Sequence, residues 1–216
     1  TNELINIIEI AKEKNLNICC SGSGLSYADL ITNQNNIILK TYKLNKIINY
    51  DNLNGYITVQ CGVTFNSIYQ MTLIDNWYLS SCPGGGDVSI GGALSNNVHG
   101  KDSFRNGNFG ENIEFFKILQ SNGKIVQINK SDEAFKYIVS GIGLFGIITE
   151  ITLKLKKITS NYVEHKSVVH KNIDEIIEYH ELNNPNYDFA VSWVDCFSNK
   201  IDIGRGLTKQ ATWCEN

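Results

Sequence analysis

Two stretches of small residues carry the chemistry that this sequence suggests. The longer one, CPGGGDVSIGGALSNNVHGK at 82–101, holds Gly84, Gly85, Gly86, Gly91 and Gly92 within its first eleven residues. The shorter one, Ser21-Gly22-Ser23-Gly24, precedes it by about sixty residues. A residue without a Cβ lets backbone N–H groups press close to something flat or charged, and a helix N-terminus adds free N–H groups for an anion. GGALSNNV reads as a short buried helix entered through paired glycines. Two such loops brought together would hold the two ends of one long ligand. His99 and Lys101, at the end of the longer stretch, are the basic groups nearest to it.

Familiar alternatives fail on spacing. A phosphate loop of the Walker type needs G-x-x-x-x-G-K-[ST], and residues 95–102 begin with Ser95 and end with Asp102. A dinucleotide fingerprint fits Gly22 and Gly24, but Tyr27 stands where the third glycine belongs, and no acidic residue closes a strand at the distance needed for a ribose. The histidines His99, His165, His170 and His180 form no close ligand set, so packed or solvated histidines and no metal are expected. There is no G-x-S-x-G elbow. The net charge of −3 argues against general nucleic-acid binding. No apolar run approaches the roughly 18 residues of a membrane span. Cys19, Cys20, Cys61, Cys82, Cys196 and Cys214 lack CxxC spacing and read as small core residues in a reducing compartment.

The elements that must position these loops follow from periodicity. Leu4, Ile7, Ile8 and Ala11 make one face of a helix over 3–14, and 18–20 is a short strand running into the SGSG loop. Strands are expected at 36–39, 46–50 and 56–60, the last two joined by a turn at Asn54-Gly55. Thr64 caps a helix over about 65–75 with Phe65, Ile68, Tyr69 and Leu73 inward. Beyond the glycine-rich stretch, 113–119 and 124–128 flank Asn122-Gly123 as a hairpin, and a short helix covers 134–139. In 147–155 the residues Ile147, Thr149, Ile151, Leu153 and Leu155 alternate with Ile148, Glu150, Thr152 and Lys154, the pattern of a half-buried strand. The pattern restarts near 156–160 with a strand at 162–169, a helix at 173–182 and a strand at 189–196. These are too few elements to close a sheet. The expectation is therefore an α+β chain: a cofactor-binding domain over 1–157, then the truncated beginning of a second domain over 158–216.

In order, SGSGLSYAD, PGGGDVSIGGALSNNVHGK and Gly143-Leu144-Phe145-Gly146-Ile147-Ile148 resemble the FAD-binding (PCMH-type) domain of the vanillyl-alcohol-oxidase superfamily. Within it the chain is most similar to the decaprenylphosphoryl-ribose-2′-oxidase-like branch. Val191-Ser192-Trp193-Val194-Asp195 and Gly204-Arg205-Gly206 resemble the start of that branch's α+β substrate domain. The resemblance implies a two-subdomain FAD-binding fold. It implies that Cys20, Ser21, Gly22, Ser23, Gly24, Leu25 and Ser26 wrap the FAD pyrophosphate, with Tyr27 nearer the flavin. It further implies a second wall from Gly84, Ser89, Ile90, Gly91 and Gly92, a run of Asn96, Asn97, Val98, His99 and Gly100 beside the flavin, and Ile147 on the adenine side.

Many members of the superfamily attach FAD through a histidine in the first loop. Leu25 occupies that place here, so non-covalent FAD is expected; relatives in the same branch carry arginine there. The resemblance implies oxidation of a sugar hydroxyl, that of C2 in a polyprenyl-phosphate-linked ribose, within cell-envelope arabinose supply. A partner reductase would take the keto sugar. Aldonolactone or alditol oxidation, or flavin binding without turnover, are the alternatives. His99, Lys101 and Tyr27 are the flavin-side candidates, and no catalytic base is assigned. The expected place of action is the cytoplasm or a membrane surface.

Overall fold

A computed structural model describes residues 2–197 and 203–215. Thr1 and Asn216, the outer limits of the two expected units, lie outside the described residues. The centre is a five-stranded antiparallel sheet of β3 (Ile47–Asp51), β4 (Tyr56–Gln60), β6 (Ile113–Leu119), β7 (Ile125–Asn129) and β8 (Ile147–Lys154), in the order β3-β4-β8-β6-β7. Ile57, Val59, Phe116, Ile151 and Leu153 point from it into the main core, where Phe65 and Phe109 are also fully buried. Phe65 and Phe109 meet edge to face at 5.5 Å between centroids, an arrangement the ring quadrupoles favour.

Two shorter strands, β1 (Ile18–Ser21) and β2 (Ile37–Lys40), pair in parallel beside this sheet. Helix α1 (Asn2–Glu13) buries Leu4 and Ile8 against Leu119 and Ile147 in a second, smaller core. Helix α2 (Phe65–Thr72) starts where the sequence places it: Thr64 is extended and its hydroxyl accepts from Ser67 N at 3.3 Å. Strand β5 (Trp77–Tyr78) pairs with β9 (Lys156–Lys157). The glycine-rich stretch contributes α3 (Ile90–Asn96), and the one-turn helices α4 (Ser103–Asn106) and α5 (Phe135–Ile138) follow.

Two expectations need correction. The alternation assigned to 147–155 breaks in its first half: Ile147 and Ile148 are both buried, whereas Thr149 is half-buried. The β6–β8 register passes from Lys117↔Glu150 to Ile118↔Ile148, leaving Thr149 as the extra residue of a bulge. A bulge shifts the strand by one residue and swaps its faces, so Ile147 joins the smaller core and Ile148 the main one. Nor is the second unit short of a sheet. β10 (Val163–His170) and β11 (Phe189–Val194) flank β12 (Gly206–Trp213) in a three-stranded antiparallel sheet, order β10-β12-β11, covered by α6 (Ile173–Asn183). The central strand is absent from the sequence reading because its most buried residues, Thr208 and Gln210, are polar.

The cysteines also divide. Cys61 is buried in the main core, but Cys196 is exposed and the other four are half-buried.

Candidate functional site

The two small-residue loops meet. A Cβ on Gly22 would collide with the Ser89 side chain, so the first loop lies directly on the entrance to α3 because Gly22 has none. Ser23 Oγ donates to Asp87 O at 2.6 Å, a second link between the loops. The longer loop is itself fastened to the start of α2: Asn66 N donates to Gly86 O at 2.8 Å, Asn66 Nδ2 to Asp87 Oδ1 at 2.8 Å, and Phe65 N to Val88 O at 3.3 Å.

From this junction a cleft opens between Cys20, Gly22 and Ser26 on one side and Gly91, Gly92, Ser95 and Asn96 on the other. Thr41 and Cys61 also line it, with Thr41 Oγ1 bonded to Ser21 O at 3.2 Å. Ile142, Gly143, Gly146 and Cys20 continue from it into an adjoining cleft of about 770 Å³, lined also by α1 residues, Phe145 and Ile147. That volume lies within the about 300–1,000 Å³ of ordinary small-molecule sites.

The donor chemistry suits an anion in the first loop. Ser23, Gly24, Leu25, Ser26 and Tyr27 are exposed, and among the described residues their backbone N–H groups donate to no protein acceptor. Gly24 has φ +73° and open space around its missing Cβ, so the chain turns there as few side-chain-bearing residues would. Successive N–H groups on a turning backbone form an anion-binding concavity. The first two N–H groups of α3 are not free for it as the sequence suggested. Ile90 N is bound to Val63 O and Gly91 N to Cys61 O, each at 2.8 Å. These N–H groups hold α3 against the end of β4 instead, and a Cβ on Gly91 would come within 2.7 Å of the Cys61 Cβ.

The other expected residues are placed as follows. Ile90 is wholly buried in the main core and Ile147 in the smaller one, so only their backbones could face a ligand. Gly84, like Gly85, has nothing within 4 Å of its missing Cβ. Asn97 adopts φ 43° as the C-cap of α3, and its Oδ1 accepts from Gly110 N at 2.9 Å. Asn96 Nδ2 donates to Gly92 O at 2.9 Å. Val98 N is bound to Ala93 O and its carbonyl to Phe109 N. Gly100 packs on the backbone of Cys82, its missing Cβ 2.8 Å from Cys82 N. His99, Lys101 and Tyr27 are exposed and line neither cleft. Sequence reasoning missed Thr41, Cys61, Ser95 and Ile142 in the cleft lining; only Gly62, which a Cβ would drive into Leu44 O at 2.8 Å, marks the close approach of Thr41–Leu44 to Cys61.

None of Cys20, Cys61 and Cys82 is primed for attack. Burial pushes Cys20 up to about 11 and Cys61 up to about 12, and burial also raises Cys82. All three remain protonated at neutral pH, and Leu25 has no nucleophile to offer.

Residues 1–129 match the family model described as FAD binding domain. The chain belongs to this family. FAD is its cofactor, and the run of N–H groups at 23–27, the glycine contact between the loops and the paired clefts fit such a long, doubly charged ligand. A decaprenylphosphoryl-β-D-ribose oxidase of Mycolicibacterium smegmatis is 26% identical over 210 residues, which cover 95% of this chain and 46% of the relative. A putative D-arabinono-1,4-lactone oxidase of Neurospora crassa is 28% identical over 155 residues, 71% of this chain and 28% of the relative. A mitochondrial D-lactate dehydrogenase (cytochrome) of Saccharomyces cerevisiae is 28% identical over 170 residues, again 71% of this chain and 28% of the relative. The chain thus spans less than half the length of each of these relatives.

Proposed function

We propose that this chain is the FAD-holding part of an oxidoreductase that oxidises a hydroxyl of a sugar, with the FAD bound non-covalently. The observation that carries the reading is the contact of the two loops, Gly22 on Ser89 and Ser23 Oγ on Asp87 O. It sets a row of N–H groups at one end of a continuous cleft. In this reading Ser21 to Ser26 bind the pyrophosphate, Gly91, Gly92 and Asn96 line the way to the flavin, and the segment 142–147 borders the adenine side. Bound FAD supplies a hydride acceptor, the difficult part of the chemistry. The chain's own task is to orient the alcohol carbon and to stabilise charge as its proton leaves. His99 and Lys101 are the exposed basic groups closest in sequence to the flavin-lining run, and they stand as candidates for that role, with Tyr27 from the facing loop.

For the substrate, we favour the 2-hydroxyl of a polyprenyl-phosphate-linked ribose, giving a keto sugar for a separate reductase. The similarity to the ribose oxidase extends over 95% of this chain, into β10–β12, whereas that to the lactone oxidase covers 71%. Oxidation of an aldonolactone is the second reading. The deciding experiment is anaerobic bleaching of the flavin-loaded protein. Loss of the yellow band with a prenyl-phosphoryl ribose, and not with an arabinonolactone or D-lactate, is the expected result. The opposite selectivity would transfer the reading to the lactone, and no bleaching by any of them would leave a flavin-binding module. Acid precipitation checks the mode of attachment: the flavin should stay in the supernatant, and flavin retained in the pellet would overturn non-covalent binding.

A further inference from the structure

The stretch 82–101 is closed at its base by one carboxylate. Asp102, just after the stretch, is 1% exposed, and both of its oxygens accept from the N–H of Ser81, just before it, at 3.1 Å. Ser81 is fully buried and holds φ +61°, an unfavourable conformation for a residue with a Cβ. Asp102 Oδ2 also accepts from Asn106 Nδ2 at 3.0 Å. The chain of polar contacts does not stop there. Asn106 Oδ1 accepts from Lys156 Nζ at 3.3 Å, and Lys156 Nζ lies 3.9 Å from Asp188 Oδ1.

Asp188 is the hub of the second unit's edge. Arg105 Nη1 lies 3.8 Å from the same oxygen and donates to Tyr187 O at 2.8 Å. The other oxygen accepts from Thr212 Oγ1 at 3.0 Å and Trp213 N at 3.1 Å. Two residues further on, Ala190 N donates to Lys101 O at 2.8 Å. The segment that carries His99 and Lys101 is thereby fastened from two sides. One fastening is within the FAD-binding unit and the other is the edge strand β11.

We propose that Asp102 and Asp188 are positioning residues which, coupled through Asn106 and Lys156, fix the His99–Lys101 segment between the loop pair and the second sheet. A carboxylate with several fixed donors holds its partners more rigidly than a neutral group, because each hydrogen bond is charge-assisted. Neither residue touches the cleft, so their action is on the segment and not on the ligand directly. The flavin part of the proposal rests on the cofactor reading above; the positioning part does not.

The test is hydrogen–deuterium exchange of the whole chain without added flavin, comparing Asp188→Asn, Asp102→Asn and Arg105→Lys with Glu164→Gln, an exposed β10 control. Expected is exchange at least about threefold faster at 99–106 in the first three, with 21–27 unchanged and the control like the parent. The double variant D102N/D188N should gain less than the product of the two single effects, the mark of one shared network. After loading with FAD, Asp188→Asn should also alter the visible circular dichroism of the flavin, while Glu164→Gln should not. Unchanged exchange at 99–106 in folded Asp188→Asn overturns the proposal, and so does uniform acceleration along the chain, which is general destabilisation. Should Asp102→Asn fail to fold, Asp188→Asn and Arg105→Lys decide the matter alone. A parent protein that binds no flavin would sink the cofactor reading and leave the exchange result standing.

Discussion

The two larger sheets among the described residues bury different kinds of surface. The five-stranded sheet sends Ile57, Val59, Phe116, Ile151 and Leu153 into a continuous apolar core. Beneath α6, the three-stranded sheet instead carries a half-buried line of hydrogen bonds, with Thr208 and Gln210 its buried members. Asn184 Oδ1 contacts His180 Nδ1 at 2.8 Å, His180 Nε2 contacts Ser192 Oγ at 2.6 Å, and Ser192 Oγ contacts Thr208 Oγ1 at 2.7 Å. Gln210 Nε2 joins at Asn184 Oδ1 with a 3.0 Å bond. Apolar cores gain free energy roughly in proportion to area and tolerate adjustment. Polar interfaces gain little net energy per bond but lose much when one partner goes missing. The first sheet should therefore supply stability for the cofactor loops, and the second should supply a fixed geometry at their flank.

The largest effect should come from the apolar side. Phe116 is fully buried and lies 5.8 Å from the Phe135 ring, so Phe116→Ala should cost about 3–5 kcal/mol by transfer and cavity terms together. Urea denaturation measures it. A loss below about 1 kcal/mol would mean that the core refills the space, and the contrast between the sheets would be weaker than drawn.

Alkaline pH should separate the units next. Cys61 and Cys20 are raised by burial to about 12 and about 11 from an ordinary value near 9. Burial also raises Tyr69 and Tyr78. A folded-state value above the unfolded one means that the folded protein keeps its proton while the unfolded chain releases it. This contribution to stability is complete below about pH 9 and is lost as pH climbs towards 11–12. All four groups lie in the part that matches the FAD-binding family, with Tyr78 also packed on Phe189 and Trp213. Near-ultraviolet circular dichroism and exchange between pH 8 and pH 10.5 should therefore show the FAD-binding unit loosening first. Loosening that begins at α6 and β10–β12 would contradict it.

The same contrast explains what could be read from the sequence. Helix α1, the Thr64 cap of α2, the strands of the main sheet and the entry to α3 are legible because apolar residues recur at helix or strand spacing between glycine and cap signals. The loop pair was legible as chemistry because Gly22, Gly24, Gly84, Gly91 and Gly92 cluster in two places. Their roles were not: Gly22 and Gly91 admit neighbouring protein, whereas Gly24 and Gly84 face open space. The bulge at Thr149 was hidden because a one-residue register shift leaves no mark on composition. β12 was hidden because Thr208 and Gln210 invert the pattern on which a strand is recognised. The Asp102–Asp188 connection runs through three separate segments, 102–106, 156 and 188, so only the folded chain brings its members together.

The smallest expected effect tests the polar side most directly. Ser192 Oγ stands between His180 Nε2 and Thr208 Oγ1, and Ser192→Ala would leave both without that partner while removing one oxygen atom. The volume change is slight, so the cost is one of desolvation: about 1–3 kcal/mol if the two orphaned groups stay dry. Replacing its three central members with apolar residues (His180→Leu, Ser192→Ala and Thr208→Val together) should recover most of that loss, because the two groups orphaned by Ser192→Ala are removed with it, while Asn184 Oδ1 keeps its bond from Gln210 Nε2. Equilibrium unfolding of the single and triple variants measures both values. A neutral Ser192→Ala would mean that water enters and substitutes for the hydroxyl. The second sheet would then owe its geometry to backbone pairing and to the aromatic contact of Phe189 with Trp213 at 5.2 Å. A triple variant weaker than the single one would instead show that the polar line is cooperative, each bond strengthening its neighbour, and that the difference between the two sheets is greater than their composition implies.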